Sequence, residues 1–208
     1  IGSLLLAFGL NTRDAIAAGL YYLPHSVFAA AALFLLADSI SRARGQFADR
    51  FEPGPAMPGA RVLGGLFFVV AVAIAGLPPL SGFLGKFMLL KAALASPLLP
   101  WVWGVVLTTG LAGMIALARS GSVLFYNTHG AFGSIRASER SGLEPFEAHN
   151  ASEATAPTVS ALVPVTGLLL LLIGMVIWAG PLSDYATATA AQLLQPRIYI
   201  EAVLGTTP

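Results

Sequence analysis

Long stretches without a charged residue alternate along the chain with short polar ones. Residues 15–37, 62–85, 92–118 and 154–183 contain no Asp, Glu, Lys or Arg. About 20 apolar residues in a helix cross the ~30 Å hydrocarbon core of a bilayer, so each stretch reads as a membrane crossing. The predicted layout begins with the end of a truncated transmembrane helix at 1–10. A transmembrane helix carrying Pro24-His25 follows over 15–40, then a basic cytoplasmic loop at 41–61. A transmembrane helix over 62–96 is broken at 76–82, and another spans 98–118. A polar cytoplasmic loop at 119–157, a transmembrane helix at 158–183 and a C-terminal tail at 184–208 complete the chain. The opening Ile1-Gly-Ser-Leu-Leu-Leu-Ala-Phe-Gly-Leu10 has no initiator Met. It also lacks the charged start of a signal peptide. It is expected to finish a helix begun upstream, which makes the chain a C-terminal fragment.

The stretch 62–96 can be read in two ways: two short helices joined by Gly76-Leu-Pro-Pro-Leu-Ser-Gly82, or one crossing broken in its middle. Positively charged loops favour the cytoplasmic side. Ser41–Arg61 carries Arg42, Arg44, Arg50 and Arg61, and Arg119–Glu153 carries Arg119, Arg136 and Arg140. A single crossing puts both loops on one side, and a double crossing separates them; the single crossing fits better. A straight helix of this length would reach ~52 Å, so the break must bend or offset its halves.

Composition narrows the class. Over half of the 208 residues are hydrophobic, and only 11 basic and 10 acidic residues occur. A soluble domain of this size would carry about fifty charges. A soluble enzyme, a nucleic-acid binder and a disordered scaffold are excluded. The net charge of +1 offers no basic surface for nucleic acid. Three scattered His and no Cys leave no metal cluster and no thiol chemistry, and no cofactor is expected.

The break is the chemically informative feature. Tandem Pro78 and Pro79 delete two backbone N–H donors and collide with the preceding turn. Gly76 and Gly82 flank them. Freed carbonyls at membrane depth are tolerated only beside protein or cavity water, and transporters use such interruptions to aim half-helix ends at ions. A simple proline kink is the bland alternative. The chain's two lysines, Lys86 and Lys91, follow immediately and are the sole charges between Arg61 and Arg119. A lysine at a helix centre costs ~2.5–3.5 kcal/mol on insertion scales, so it is usually paired, functional or cavity-facing. Lys86 is expected to alternate between charged and neutral forms, as a proton relay requires. Lys91 lies ~140° around the helix and ~7.5 Å along it, where snorkelling to the interface explains it.

His25 lies near the middle of its apolar stretch, after Pro24 and beside Tyr21 and Tyr22. Its near-neutral titration suits proton transfer; a hydrogen bond to a neighbouring helix is an equal alternative. Asp38 reads as a solvated or Arg-paired surface residue. Ser81 could bond an ion or water at the break, although capping the second half-helix is the commoner role. Trp101 and Trp103 suggest an interfacial belt. The Asn150-Ala-Ser152 triplet is too short to establish glycosylation. No phosphate-cradling glycine loop, Ser-His-Asp order or paired-carboxylate site occurs, and no cluster of intramembrane carboxylates marks a Na⁺ site.

Ala75-Gly-Leu-Pro-Pro-Leu-Ser-Gly-Phe-Leu-Gly-Lys-Phe-Met-Leu-Leu90 resembles the broken-helix signature of the antiporter-like membrane subunits. That family includes the proton-pumping subunits of respiratory complex I and subunits of Mrp-type Na⁺/H⁺ antiporters. Tyr21-Tyr-Leu-Pro-His-Ser-Val-Phe-Ala-Ala-Ala-Ala-Leu-Phe-Leu-Leu36 is similar to its His-bearing helix. Lys rather than Glu after the break, Ser120-Gly-Ser-Val-Leu-Phe125 and the tail Ala191–Gly205 are most similar to the D subunits of the Mrp type. The resemblance implies an all-α, polytopic transmembrane helix bundle, this chain forming the second inverted repeat of an antiporter-like fold with one discontinuous helix. It also implies a polar axis at the membrane midplane, with Lys86 matching its terminal lysine and His25 a histidine on it. Many relatives carry a Lys about one turn after that histidine; here the stretch is Ala29–Ala32. That step is missing, replaced by water or supplied elsewhere.

The expected role is therefore a proton-translocating subunit of a Na⁺/H⁺ antiporter in a prokaryotic inner membrane. Its partners would be other subunits of a hetero-oligomeric complex, the lipid bilayer, protons and Na⁺. The expected site is Lys86 and His25, with Gly76, Pro78, Pro79, Ser81 and Gly82 forming and hydrating the break, and Lys91 and Asp38 at its margin. A membrane subunit of a complex I or hydrogenase-type oxidoreductase is the alternative, and a purely structural subunit has little need of Lys86.

Overall fold

The computed structural model describes residues 1–45, 51, 57–126, 158–195 and 205. Arg50, Arg136, Arg140, the Asn150 triplet and most of the tail beyond 195 lie outside the described residues. Helices account for nearly all the rest, and no strand occurs among the described residues. In chain order they are α1 (Gly2–Gly9), α2 (Arg13–Arg44), α3 (Ala60–Ala75), α4 (Ser81–Ala92), α5 (Leu99–Gly121), α6 (Val159–Ile177) and α7 (Ala179–Leu193). A 3₁₀ turn, Ala93–Ala95, follows α4, and a π-helical turn, Ser122–Tyr126, follows α5.

Among the described residues, three helical stretches are long and apolar enough to cross a membrane: Arg13–Arg44, Leu99–Tyr126 and Val159–Ile177. The 16 residues of α3 and 12 of α4 reach about 24 and 18 Å, each short of the hydrocarbon thickness. Large apolar side chains such as Phe34, Phe68, Trp101 and Leu170 stand exposed on these helices. In water such a surface would aggregate; in lipid it is the expected outer face.

Local chemistry sets several helix ends. The Thr12 hydroxyl accepts from the Ala15 N–H at 3.3 Å, capping α2, and Asp14 lies in its positive first turn. Pro24 lies inside α2 without ending it. Helix α3 ends at Gly76 with φ +75°. The Leu77 N–H reaches back to Val72 O at 3.1 Å and the Gly76 N–H to Ala73 O at 3.1 Å. This is the glycine-terminated C-cap with a proline shortly after it.

The described chain divides into two compact units. One contains Ile1–Ala29, Val72–Ala112 and Leu170–Pro208. Its packing relies on small residues that let helices approach closely, as membrane helices require. Ala7, Ala18, Leu89, Ala93, Val102 and Val106 form one buried cluster. A second joins Ile16, Ala17, Tyr21, Met175, Ala186 and Ala190. The other unit contains Ala30–Ala71 and Gly113–Leu169. Leu36, Leu63, Val70 and Val165 are fully buried there, and the Phe67 and Phe125 rings sit 5.7 Å apart.

Helix boundaries run beyond the sequence-based ones. Residues 184–193, expected as tail, continue in α7 because Ala186 and Ala190, one turn apart, bury against Ile16, Ala17 and Tyr21. The helix through 119–121 and its π-turn likewise occupy the start of the expected polar loop, where Gly121 faces the Phe67 ring. Helix α2 extends to Arg44, with Ala43 and Arg44 buried.

Candidate functional site

The site is assembled where α3 stops and α4 begins. In a continuous helix each carbonyl accepts from the N–H four residues on. For Ile74 and Ala75 those donors would be residues 78 and 79, both proline, which have no N–H. Lys86 supplies what is missing: its Nζ donates to Ala75 O at 2.8 Å and, more weakly, to Ile74 O at 3.5 Å. The shorter of these is a charge-assisted bond. The lysine therefore folds back from the first turns of α4 onto the end of α3, half-buried. Gly76 makes room for it. A Cβ there would fall 2.8 Å from Lys86 Cδ, in addition to requiring a left-handed backbone.

His25 is 1% exposed and faces the same break from α2. Its Nδ1 is hydrogen-bonded to Ser81 Oγ at 2.9 Å. Ser81 is fully buried. It is the first residue of α4, yet Leu80 is the N-cap and no side chain caps that end. The capping role expected of Ser81 is thus not the one observed; its hydroxyl is committed to His25.

Glycines bring α4 this close. A Cβ on Gly82 would lie 2.5 Å from Ala73 O and 2.6 Å from His25 Nε2. One on Gly85 would lie 2.6 Å from Tyr22 Cδ2. The Tyr22 ring in turn stands 5.2 Å from the imidazole, tilted by 41°. Ser81, Gly82, Gly85 and Leu89 form the buried face of α4.

Lys86, His25, Gly76, Pro78, Pro79, Ser81 and Gly82 are therefore gathered in one place. Lys91 is not among them: it is exposed in the last turn of α4. Asp38 is also elsewhere, pairing with Arg42 at 2.9 Å on an exposed face of α2. Among the described residues no group of three His, Cys, Asp or Glu comes together.

Sequence reasoning missed one participant. Tyr21, one turn before His25 on the same face of α2, is buried and donates its hydroxyl to Met175 O at 3.0 Å. Helix α6 ends there: Trp178, between α6 and α7, leaves helical geometry with φ −100° and ψ 29°. The i, i+4 spacing of Tyr21 and His25 was the available signal.

Comparison with known proteins agrees with this geometry. The transmembrane family described as NADH:quinone oxidoreductase/Mrp antiporter matches residues 1–114, more than half the chain and all of α1–α4. The chain belongs to this family. It is 30% identical, over 98% of its length, to the D subunit of the Na⁺/H⁺ antiporter of Alkalihalophilus pseudofirmus, covering 37% of that protein. It is 34% identical to the D subunit of a probable K⁺/H⁺ antiporter of Rhizobium meliloti over 98% of its length, covering 39% of that protein. The chain thus spans under two-fifths of the length of these curated relatives. In three dimensions it is similar to a chain in the structure of the Mrp complex from Dietzia sp. DQ12-45-1b. The TM-score is 0.74 at 23% identity, over 98% of this chain and 42% of that one. The all-α fold with its discontinuous helix is the antiporter-like fold, and the chain is a multi-pass membrane protein.

Proposed function

We propose that the chain is a proton-translocating part of a multisubunit monovalent cation/H⁺ antiporter of a prokaryotic inner membrane, moving protons through Lys86 and His25. The observation that carries this reading is the Lys86 ammonium on the carbonyls that Pro78 and Pro79 leave without donors. A structural break would be satisfied by a neutral donor. A lysine there holds a transferable proton, and its loss exchanges a charge-assisted bond for a neutral one. The break then gains open carbonyl valence that water can fill. His25 is the next group with an exchangeable ring proton, hydrogen-bonded to Ser81 at the start of the helix that carries Lys86. Other subunits of the complex, the remainder of a full-length subunit and the lipid bilayer would complete the path, with Na⁺ as the counter-ion. The relatives named as antiporter D subunits support that assignment. One named relative belongs to a probable K⁺/H⁺ antiporter, so the cation is set in the assay.

The test is Lys86→Ala in the full-length subunit within the complete complex, reconstituted in vesicles. Na⁺-dependent proton flux should be abolished, and K⁺ in place of Na⁺ tests the cation. Near-normal flux sinks the reading. The family's description also includes NADH:quinone oxidoreductases. Proton pumping driven by NADH through the purified complex, without Na⁺ dependence, would favour that alternative.

A further inference from the structure

We infer that Tyr22 is a positioning residue for His25: its ring, held on Gly85 of α4, lies against the imidazole and stabilises the protonated form that a relay needs. The inference rests on the relay reading of His25 above. Tyr22 and His25 stand one turn apart on α2, and Gly82 and Gly85 one turn apart on α4. A Cβ on Gly82 would lie 2.6 Å from His25 Nε2. One on Gly85 would lie 2.6 Å from Tyr22 Cδ2 and 3.1 Å from Tyr22 Cβ. The two rings of α2 therefore sit on the two glycines of α4 in reverse order, along one line of antiparallel helix contact. Ala18 and Leu89, a further turn along each helix, continue that line in a buried cluster. Seated on Gly85, the Tyr22 ring has its centroid 5.2 Å from that of the imidazole and is tilted by 41°.

His25 is 1% exposed, and a charge taken out of water must be compensated. Two groups lie against the ring, the Ser81 hydroxyl at 2.9 Å and the Tyr22 ring. The hydroxyl can accept from a protonated Nδ1 but carries no charge. An aromatic face is electronegative, and a cation within about 6 Å of its centroid is attracted to it, most strongly where water is excluded. The 5.2 Å separation meets that condition. A neutral imidazole gains only the weaker contact of an aromatic pair, so the arrangement favours the charged form. The other titratable groups on the packed elements are engaged or turned outward. Tyr21 donates to Met175 O and Lys86 to Ala75 O. Lys91 of α4 and Asp184 and Tyr185 of α7 are exposed. Helices α1 and α6 and residues Val72–Ala75 of α3 have no titratable side chain.

The experiment uses the full-length subunit in its complete complex in lipid vesicles, with ¹⁵N-labelled histidine, and follows the titration of the His25 ring by NMR. The His25 resonances are assigned by their loss in His25→Gln. Tyr22→Leu keeps an apolar side chain but removes the ring. Its titration midpoint should move toward acid by about one pH unit, and the pH profile of proton flux should move the same way. Tyr22→Phe, which keeps the ring, should titrate as the parent protein does. Gly85→Ala, whose methyl group displaces the ring, should shift the midpoint in the same direction as Tyr22→Leu. An unmoved midpoint in folded Tyr22→Leu, or in Gly85→Ala where Tyr22→Leu does not assemble, overturns the inference. So does a shift in Tyr22→Phe as large as that in Tyr22→Leu, which would assign the effect to the hydroxyl. The NMR readout does not depend on transport, so failure of the relay reading, seen as normal flux in Lys86→Ala, is told apart from failure of this one.

Discussion

A single methyl group at residue 82 should disable the site while every titratable side chain remains. In Gly82→Ala the new Cβ would sit 2.5 Å from Ala73 O, 2.6 Å from His25 Nε2 and 2.8 Å from His25 Cε1. Carbon–oxygen contacts are comfortable at about 3.3–3.6 Å, so α4 must retreat from α3 by about 1 Å or the imidazole must swing away. Ala73 O is backbone near a helix end and cannot rotate aside as a side chain would. Overpacking of this kind costs about 1–3 kcal/mol, which a membrane bundle can survive. A misplacement of about 1 Å in a reacting geometry costs on the order of 10²-fold in rate. The expected result is a folded, assembled complex with a lower melting temperature and proton flux reduced about a hundredfold. Gly104→Ala in α5 is the control: nothing lies within 4 Å of its Cβ position, so flux should be unchanged. Wild-type flux from a folded Gly82→Ala complex would refute the claim that close approach of α3, α4 and His25 is what makes the site work.

Two further substitutions separate the break from its packing. Replacing Pro78 and Pro79 together by Ala returns N–H donors to residues 78 and 79. Two backbone hydrogen bonds of about 1 kcal/mol each, with relief of a helix penalty of about 3 kcal/mol per proline, then compete with the Lys86 bond of about 1.5–3 kcal/mol. Proton flux should fall at least about tenfold while the melting temperature holds or rises; undiminished flux would show that Lys86 does not depend on the vacated carbonyls. Tyr21→Phe removes the donor to Met175 O. An unpaired buried carbonyl costs about 1–3 kcal/mol, so the melting temperature should drop by several degrees while flux at permissive temperature stays above half; an unchanged melting temperature would argue against the bond.

The apolar spans and the break were legible because both depend on residue type alone. Charge-free runs mark bilayer crossings, and Pro78-Pro79 after Gly76 cannot continue a helix. The identity of the carbonyls held by Lys86 was also within reach, since counting back four residues from each proline names Ile74 and Ala75. What could not be read was which helix faces meet. The partner of Ser81 follows from α2 lying against the start of α4, a contact 56 residues apart in sequence. The bond from Tyr21 spans 154 residues and ends on a carbonyl, a group every residue has. Helix ends were misjudged for a related reason. Residues 184–193 look polar enough for a tail, and the burial of Ala186 and Ala190 decides otherwise.

Two helix interruptions of the unit holding the site, compared with each other, bear on the proposed relay role of Lys86. At Trp178 and at Gly76–Leu80, a side chain from elsewhere donates to a carbonyl near the end of a helix, Tyr21 to Met175 and Lys86 to Ala75. Either donor repairs a backbone, so repair alone cannot explain the choice of lysine. A tyrosine hydroxyl can donate while neutral, is 2% exposed here, and needs no charge to hold its bond. The ammonium of Lys86 brings a charge into the bilayer at a cost of ~2.5–3.5 kcal/mol on insertion scales and keeps a half-buried position. A phenol is a sufficient stabiliser of an interrupted helix. On the proposed relay reading, the added cost of a lysine is the cost of placing a proton that can leave.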